Sequence, residues 1–273
     1  MTMPGSLITR NGQAEIRGLL IGSGTPYAVE GWSGLGLPEI RDDDAELEGD
    51  DGSSGGLDLY ATRSISATIG ISADDRDALG AARDLLAAAF RRVDGPRQTV
   101  PFVVRLAGTS RRFEVRPRRL ELPWEGVARV GMMVGGAFRL DALDPYAYAV
   151  DETSETIEIP DTSTTASAVL TNAGNGRTRP VVTITGPATD PVVANLETGL
   201  AIRTSIVLGS SDVLVVDVAA ARMTLNGSPV WAGASDYEPM ELVPGAQEIA
   251  FSRATDSIPA TAQIVWRDAW QAL

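Results

Sequence analysis

The sequence contains no histidine, no cysteine and no lysine; all 23 basic side chains among its 273 residues are arginine. Each absence removes a class of chemistry. Without histidine there is no imidazole general base, no Ser-His-Asp triad and no His-ligated zinc. Without cysteine there is no thiol nucleophile, iron–sulfur cluster or disulfide, so nothing in the chain depends on redox state. Without lysine there is neither a Schiff base nor a phosphate-loop lysine. Carboxylates, hydroxyls and guanidinium groups remain, an inventory that speaks against most enzymes. Aromatics are also sparse, 5% of residues.

Positive charge is short. Against the 23 arginines stand 36 acids, a formal net charge of −13. A phosphate backbone needs a basic face, so specific nucleic-acid binding is not expected. The acidity is uneven: residues 1–150 hold 17 arginines against 21 acids, and residues 151–273 hold 6 against 15. No apolar run approaches the length of a membrane span, and the opening MTMPGSLITRNG lacks a signal-peptide layout. Synthesis in a cytosol is expected. The 44% hydrophobic content suits a globular chain of two domains, with a boundary expected near residue 150.

The patterning is mainly β. Short strands are predicted at 15–21 and 27–32, then an exposed acidic loop over 41–58, RDDDAELEGDDGSSGGLD. In 63–72 Ile65, Ala67, Ile69 and Ile71 alternate with smaller or polar residues, which marks a half-buried strand. One helix follows, expected from a capping box at Ser72 and Asp75 to about Val93, with Leu79, Leu86 and Phe90 on its apolar stripe. Strands are predicted again at 100–106, 112–116, 118–122 and 127–140. The second part reads as wholly β, with strands near 155–159, 166–172, 180–185, 200–208, 213–217, 223–226, 247–251 and 262–266. Turn dipeptides such as Asn226-Gly227 and Pro244-Gly245 separate them, the layout of an antiparallel sandwich.

Few residues carry chemistry. Asp42, Asp43 and Asp44 lead a run of acids, but the spacing of a calcium-binding loop is not met, so a solvated loop is the better reading. Gly31, Gly34 and Gly36 stand in the wrong order for a dinucleotide loop. Gly131, Gly135 and Gly136 inside a strand pattern point to a bulge or close backbone approach. Nothing in the acid spacing marks a glycosidase pair. Arg112, Arg116 and Arg118 belong to the one basic cluster. Arginine suits fixed ion pairs, so this cluster is a candidate subunit interface, with the acidic loop at Asp42, Asp43 and Asp44 as its counterpart. Trp231 is a candidate sugar-stacking or packing aromatic, whereas Trp266 continues the alternation of Ala262 and Ile264 and reads as packing. No catalytic, cofactor or metal residue is assigned.

Three phrases together resemble the distal tail proteins of long-tailed, non-contractile bacteriophages. The first is LDALDPYAY, with Asp144, Pro145 and Tyr148, at the close of the first domain. The second is LTNAGNGRTRPVVTITGP, with Asn172, Gly174 and Pro180, similar to the opening of that family's galectin-like sandwich. The third is the ending, in which Gly245, Trp266, Arg267, Asp268 and Trp270 match while Gln247 replaces the usual Asn. The resemblance implies a split-barrel-like N-terminal β domain with one helix over residues 1–150 and a galectin-like, jelly-roll sandwich over 151–273. It also implies a structural virion component and no enzyme: a homohexameric ring at the distal end of the tail, joining the tail tube protein to the tail-tip hub, with the tape measure protein as a further neighbour. No cofactor and no membrane contact is implied, and DNA passes through the ring without specific binding. The alternative is a carbohydrate-binding module that contacts host-wall glycans through the C-terminal sandwich.

Overall fold

The computed structural model describes residues 3–49, 51–96, 98–123, 132–230, 234–254 and 258–273, with side chains left aside at 234–237. The chain forms two compact units, one of Met1–Val150 with Gln271–Leu273 and one of Asp151–Trp270. The last three residues thus return to the first unit instead of extending the sandwich. Gln271 accepts from Tyr60 through its side chain (3.0 Å) and from Arg63 through its carbonyl, and Leu273 N donates to Leu35 O at 3.0 Å.

The first unit is an antiparallel sheet in the order Leu19–Gly22, Gln13–Ile16, Val100–Leu106, Thr109–Glu121, Met132–Ala142, Arg63–Ser72, Tyr27–Ser33. Ala147–Tyr148 adds to Thr109–Glu121. The two ends of this path are consecutive in the chain, yet no ladder joins them among the described residues, which leaves a split barrel. Arg63–Ser72 shows strict alternation, with Ile65, Ala67, Ile69 and Ile71 buried. Phe102, Phe113 and Phe138 fill the interior.

Several sequence expectations shift. The stretch 15–21 is a hairpin, not one strand: Arg17 (φ 50) and Gly18 (φ 76) form a two-residue turn with positive φ at both positions. Arg-Gly is a weaker turn signal than Asn-Gly, and the apolar run around it hides the reversal. The strands predicted at 112–116 and 118–122 are one strand, Thr109–Glu121, kinked by a register shift between Pro117 and Arg119. The paired strand is described from Met132, so residues 127–131, Gly131 included, lie outside the described residues. A bulge does fall at Gly135, where the register slips between Met133 and Gly136.

The helix spans Arg76–Ala89 and starts later than the predicted box at Ser72. Asp75 is its N-cap, accepting from Ala78 N at 2.8 Å. Ser72 is still the last strand residue, bonded through its N–H to Pro26 O. Leu79, Leu86 and Ala89 face inward, and Phe90 caps the end with its ring 5.0 Å from that of Phe138. The described residues of 41–58 are exposed, as expected, but the segment is organised as a two-stranded ribbon and not left without pairing. Ile40–Arg41 pairs with Leu59–Tyr60, and Ala45–Glu46 pairs with Ser53–Ser54.

The second unit is an antiparallel sandwich. One sheet runs Thr153–Ile159, Ala260–Trp266, Val181–Thr185, Val213–Asp217, Arg222–Leu225, Ser228–Pro229; the other runs Thr165–Asn172, Gly245–Ser252, Val192–Asn195, Ala201–Thr204, Ala234–Tyr237. The predicted strand 200–208 breaks into Ala201–Thr204 and Val207–Leu208. Val182, Ile184, Leu214 and Ile264 from one sheet meet Leu170, Val193, Ile249 and Phe251 from the other in a single core.

Candidate functional site

The residues singled out by the phrases of the second unit come together. Asn172 is buried at the end of its strand. Its Nδ2 donates to the carbonyls of Gly176 (2.8 Å) and Leu242 (3.1 Å), and its Oδ1 accepts from Gly174 N (3.1 Å) and Ala269 N (3.2 Å). One side-chain amide therefore satisfies four backbone groups from three segments. Gly174 must lack a side chain, since a Cβ there would lie 1.7 Å from the Ala269 carbonyl oxygen. Asp268 completes the joint by accepting from Ala173 N (3.1 Å) and Trp266 Nε1 (3.3 Å). Trp266 is buried in the sandwich core, Trp270 is half-buried, and Arg267 pairs with Glu152 at 2.9 Å. Pro180 is buried, and Gly245 begins its strand at φ 100. Gln247 is buried with its amide bonded to Val243, Gly245 and Asn195, tying the 243–247 turn to the sheet. This site builds structure; it holds no reactive group.

In the first unit Asp144 accepts from Tyr148 Oη (2.7 Å) and Tyr146 N (3.2 Å), closing the turn at Pro145. The Pro145 carbonyl in turn accepts from Arg63 Nε. Arg63, which carried no signal in the sequence, is 2% exposed. Its fork donates to the carbonyls of Gly34, Gly36, Pro145 and Gln271, and its cation lies 5.4 Å from the centre of the Phe113 ring. Burial pushes its pKa below the ordinary arginine value. Arg253 repeats the device in the second unit, where it bonds the carbonyls of Pro160, Ser163, Pro187 and Ile258. A planar guanidinium with five donors is the side chain that can gather several carbonyls at once.

The arginines of the candidate interface all have partners in their own chain. Arg112 pairs with Glu114 at 2.6 Å. Arg116 donates to Pro96 O (2.8 Å) and Val93 O (3.3 Å). Arg118 shares the buried Asp141 carboxylate with Arg139, at 3.1 and 2.9 Å. Asp42, Asp43 and Asp44 lie on the exposed ribbon, and the structure does not bring them to these arginines. Asp44 accepts from Gly56 N at 2.8 Å. A shallow hollow of about 300 Å³ at the ribbon base is lined by Arg41, Asp42, Asp43, Leu57 and Leu59. Among the described residues no three carboxylates gather to hold a metal ion. Trp231 lies outside the described residues.

Comparison with known proteins follows this geometry closely. Residues 173–270 match the family model described as "Siphovirus-type tail component, C-terminal domain", a match that includes Gly174, Gly245 and the Trp266–Trp270 ending. The structure is similar to that of SPP1 Dit (gp 19.1), described as a paradigm of the hub adsorption apparatus in phages that infect Gram-positive hosts. The TM-score is 0.67 at 16% identity, over 94% of this chain and 98% of that one. It is also similar to a chain of the phage P2 baseplate in its activated conformation with Ca, with a TM-score of 0.53 at 8% identity, over 93% and 97% of the two chains. No curated protein sequence matches. The mainly β fold is that of these hub and baseplate chains, and the resemblance to siphophage distal tail proteins has independent support from sequence and from structure.

Proposed function

We propose that this chain is a structural part of a long, non-contractile phage tail, forming a ring at the distal end that joins the tail tube to the tail-tip proteins. The observation that carries the reading is coverage: one structural likeness to a hub protein spans nearly both chains, and the family match falls on the unit with the signature joint. The residues add a consistent chemistry. The side chains described at length fix turns and strand ends, and none is arranged to attack, protonate or coordinate a substrate. In this reading the first unit makes the ring. The tail tube protein, the hub and the tape measure protein are the neighbours, and the ring sits in the virion after synthesis in the host cytoplasm. An acidic chain also suits a channel that passes DNA without retaining it, because like charges suppress phosphate contacts.

Light scattering of the full chain, alone and mixed with its tail tube protein, tests this reading. A discrete closed oligomer is expected, and a strict monomer under both conditions overturns it. The glycan-binding alternative is not favoured, because the likeness is to hub and baseplate chains. Saturable binding of host-wall glycan by the full chain, lost in Trp231→Ala, would revive it.

A further inference from the structure

The ribbon at 40–60 is anchored at its base by Tyr60, whose hydroxyl meets Gln271 at 3.0 Å, but its body lies open. Every described residue from Ile40 to Asp58 is exposed, including Ile40, Leu47 and Leu57 at 56, 44 and 68%. A two-stranded ribbon that buries no apolar face is marginal by itself, because ordering it costs entropy with no compensating burial. Four of its acids are also unspent. Among the described residues Asp42, Asp43, Glu46 and Glu48 have no cation partner in the chain. Residues 41–58 hold eight acids against one arginine, whereas the remainder of 1–150 holds 16 arginines against 13 acids.

The surplus of positive charge has a focus at the helix exit. Arg17 donates to the carbonyls of Ala89 (3.2 Å), Arg91 (2.8 Å) and Arg92 (3.4 Å), while Arg116 holds those of Val93 and Pro96. Arg91 and Arg92 are exposed on the same segment, whose one acid, Asp94, pairs with Arg92 at 3.1 Å. Four guanidinium groups thus crowd eight residues of backbone. Burial first, and then the nearness of Arg91, hold Arg17 below the ordinary arginine pKa.

We propose that the acidic ribbon of one subunit docks on the arginine cluster at the helix exit of a second copy, around Arg91 and Arg92. The proposal rests on the ring reading above and says which surfaces close the ring. The two surfaces differ, so the contact is head-to-tail, the type that generates rings when its rotation closes. Complementary charge sets the register, and the exposed Ile40, Leu47 and Leu57 supply apolar area at the contact.

Charge exchange in the full chain tests it. Arg91→Glu with Arg92→Glu, and separately Asp42→Arg with Asp43→Arg and Asp44→Arg, should each weaken assembly at least about tenfold, with circular dichroism confirming an intact fold. An equimolar mixture of the two variants should recover assembly, because in an alternating ring every ribbon again meets a patch of opposite charge. The cysteine-free chain allows a second test. Asp43→Cys with Arg91→Cys should give covalent multimers on oxidation, and an internally closed monomer would show that the ribbon folds onto its own chain, which contradicts the proposal. If both charge variants assemble like the parent, the docking surfaces are wrong and the ring reading stands. If the parent never assembles, both fall together.

Discussion

At the scale of single residues, polar side chains here are spent on backbone. Arg63, Arg253 and Asn172 each satisfy main-chain groups from segments far apart in sequence, and Asp268 satisfies Ala173 N. Leaving such groups unpaired in a buried site costs about 1–3 kcal/mol each, so these few residues decide whether their units close. Arg63→Lys should therefore behave as a disruptive change. Lysine keeps the charge but cannot present a fork, and a loss of about 2–4 kcal/mol in urea unfolding is expected. Gly174→Ala sets a methyl group into the Ala269 carbonyl and should lower the melting point of the sandwich strongly. An unchanged melting point would mean that the joint between 172–176 and 266–270 is not built as described. Sequence reading picked out Asn172, Gly174, Asp268 and Trp266 through the phrases they belong to, but not their mutual contact. Arg63 and Arg253 left no trace at all, since an arginine that binds carbonyls needs no partner residue type and no spacing.

At the scale of elements, what was legible in the sequence was periodicity. The alternation in Arg63–Ser72 and Ala260–Trp266 maps directly onto buried and exposed faces. What was not legible were reversals made without the usual residues. Arg17-Gly18 and Ala107-Gly108 both turn with positive φ at a residue that disfavours it, φ 50 and 48. Arg17 has a reason to be there, since it also caps the helix exit. Ala107 shows no such role, so Ala107→Gly should relieve about 1 kcal/mol of left-handed strain and raise stability in chemical denaturation. A loss of stability would contradict that turn geometry. The helix boundary illustrates a related limit. Ser72 and Asp75 both look like caps, and the choice falls to Asp75 because the strand pairing of Arg63–Ser72 runs through Ser72.

At the scale of the whole molecule, the missing residues become a property. With neither histidine nor cysteine, no side chain has an ordinary pKa between about 5.5 and 9, so thermal stability should be flat across that range. Tyr27 is moved further out, its pKa raised by burial. On the acid side Asp212 is held below the usual carboxylate range by the Asn226 side chain and then by Gly209 N. Its contribution is present above the unfolded carboxylate value near 4 and lost as pH falls through the lower folded value. Asp212→Asn should accordingly lower the melting temperature slightly at neutral pH, where that contribution is present, and blunt the acid-side drop as the variant and the parent converge in acid. A steep change between pH 6 and 8 in the parent would count against this account.

The uneven charge also takes on a meaning at this scale. The first domain looked nearly balanced in total, yet it divides into an acidic ribbon and a body with surplus arginine, a division suited to meeting its own copy. The central claim is that this is a ring-forming tail part, and native mass spectrometry of the full chain at low ionic strength tests it most directly. The account predicts a single closed oligomer, an integral multiple of the 28.7 kDa chain, that dissociates as salt is raised. A monomer at every concentration and salt, unchanged when the tail tube protein is added, would contradict it.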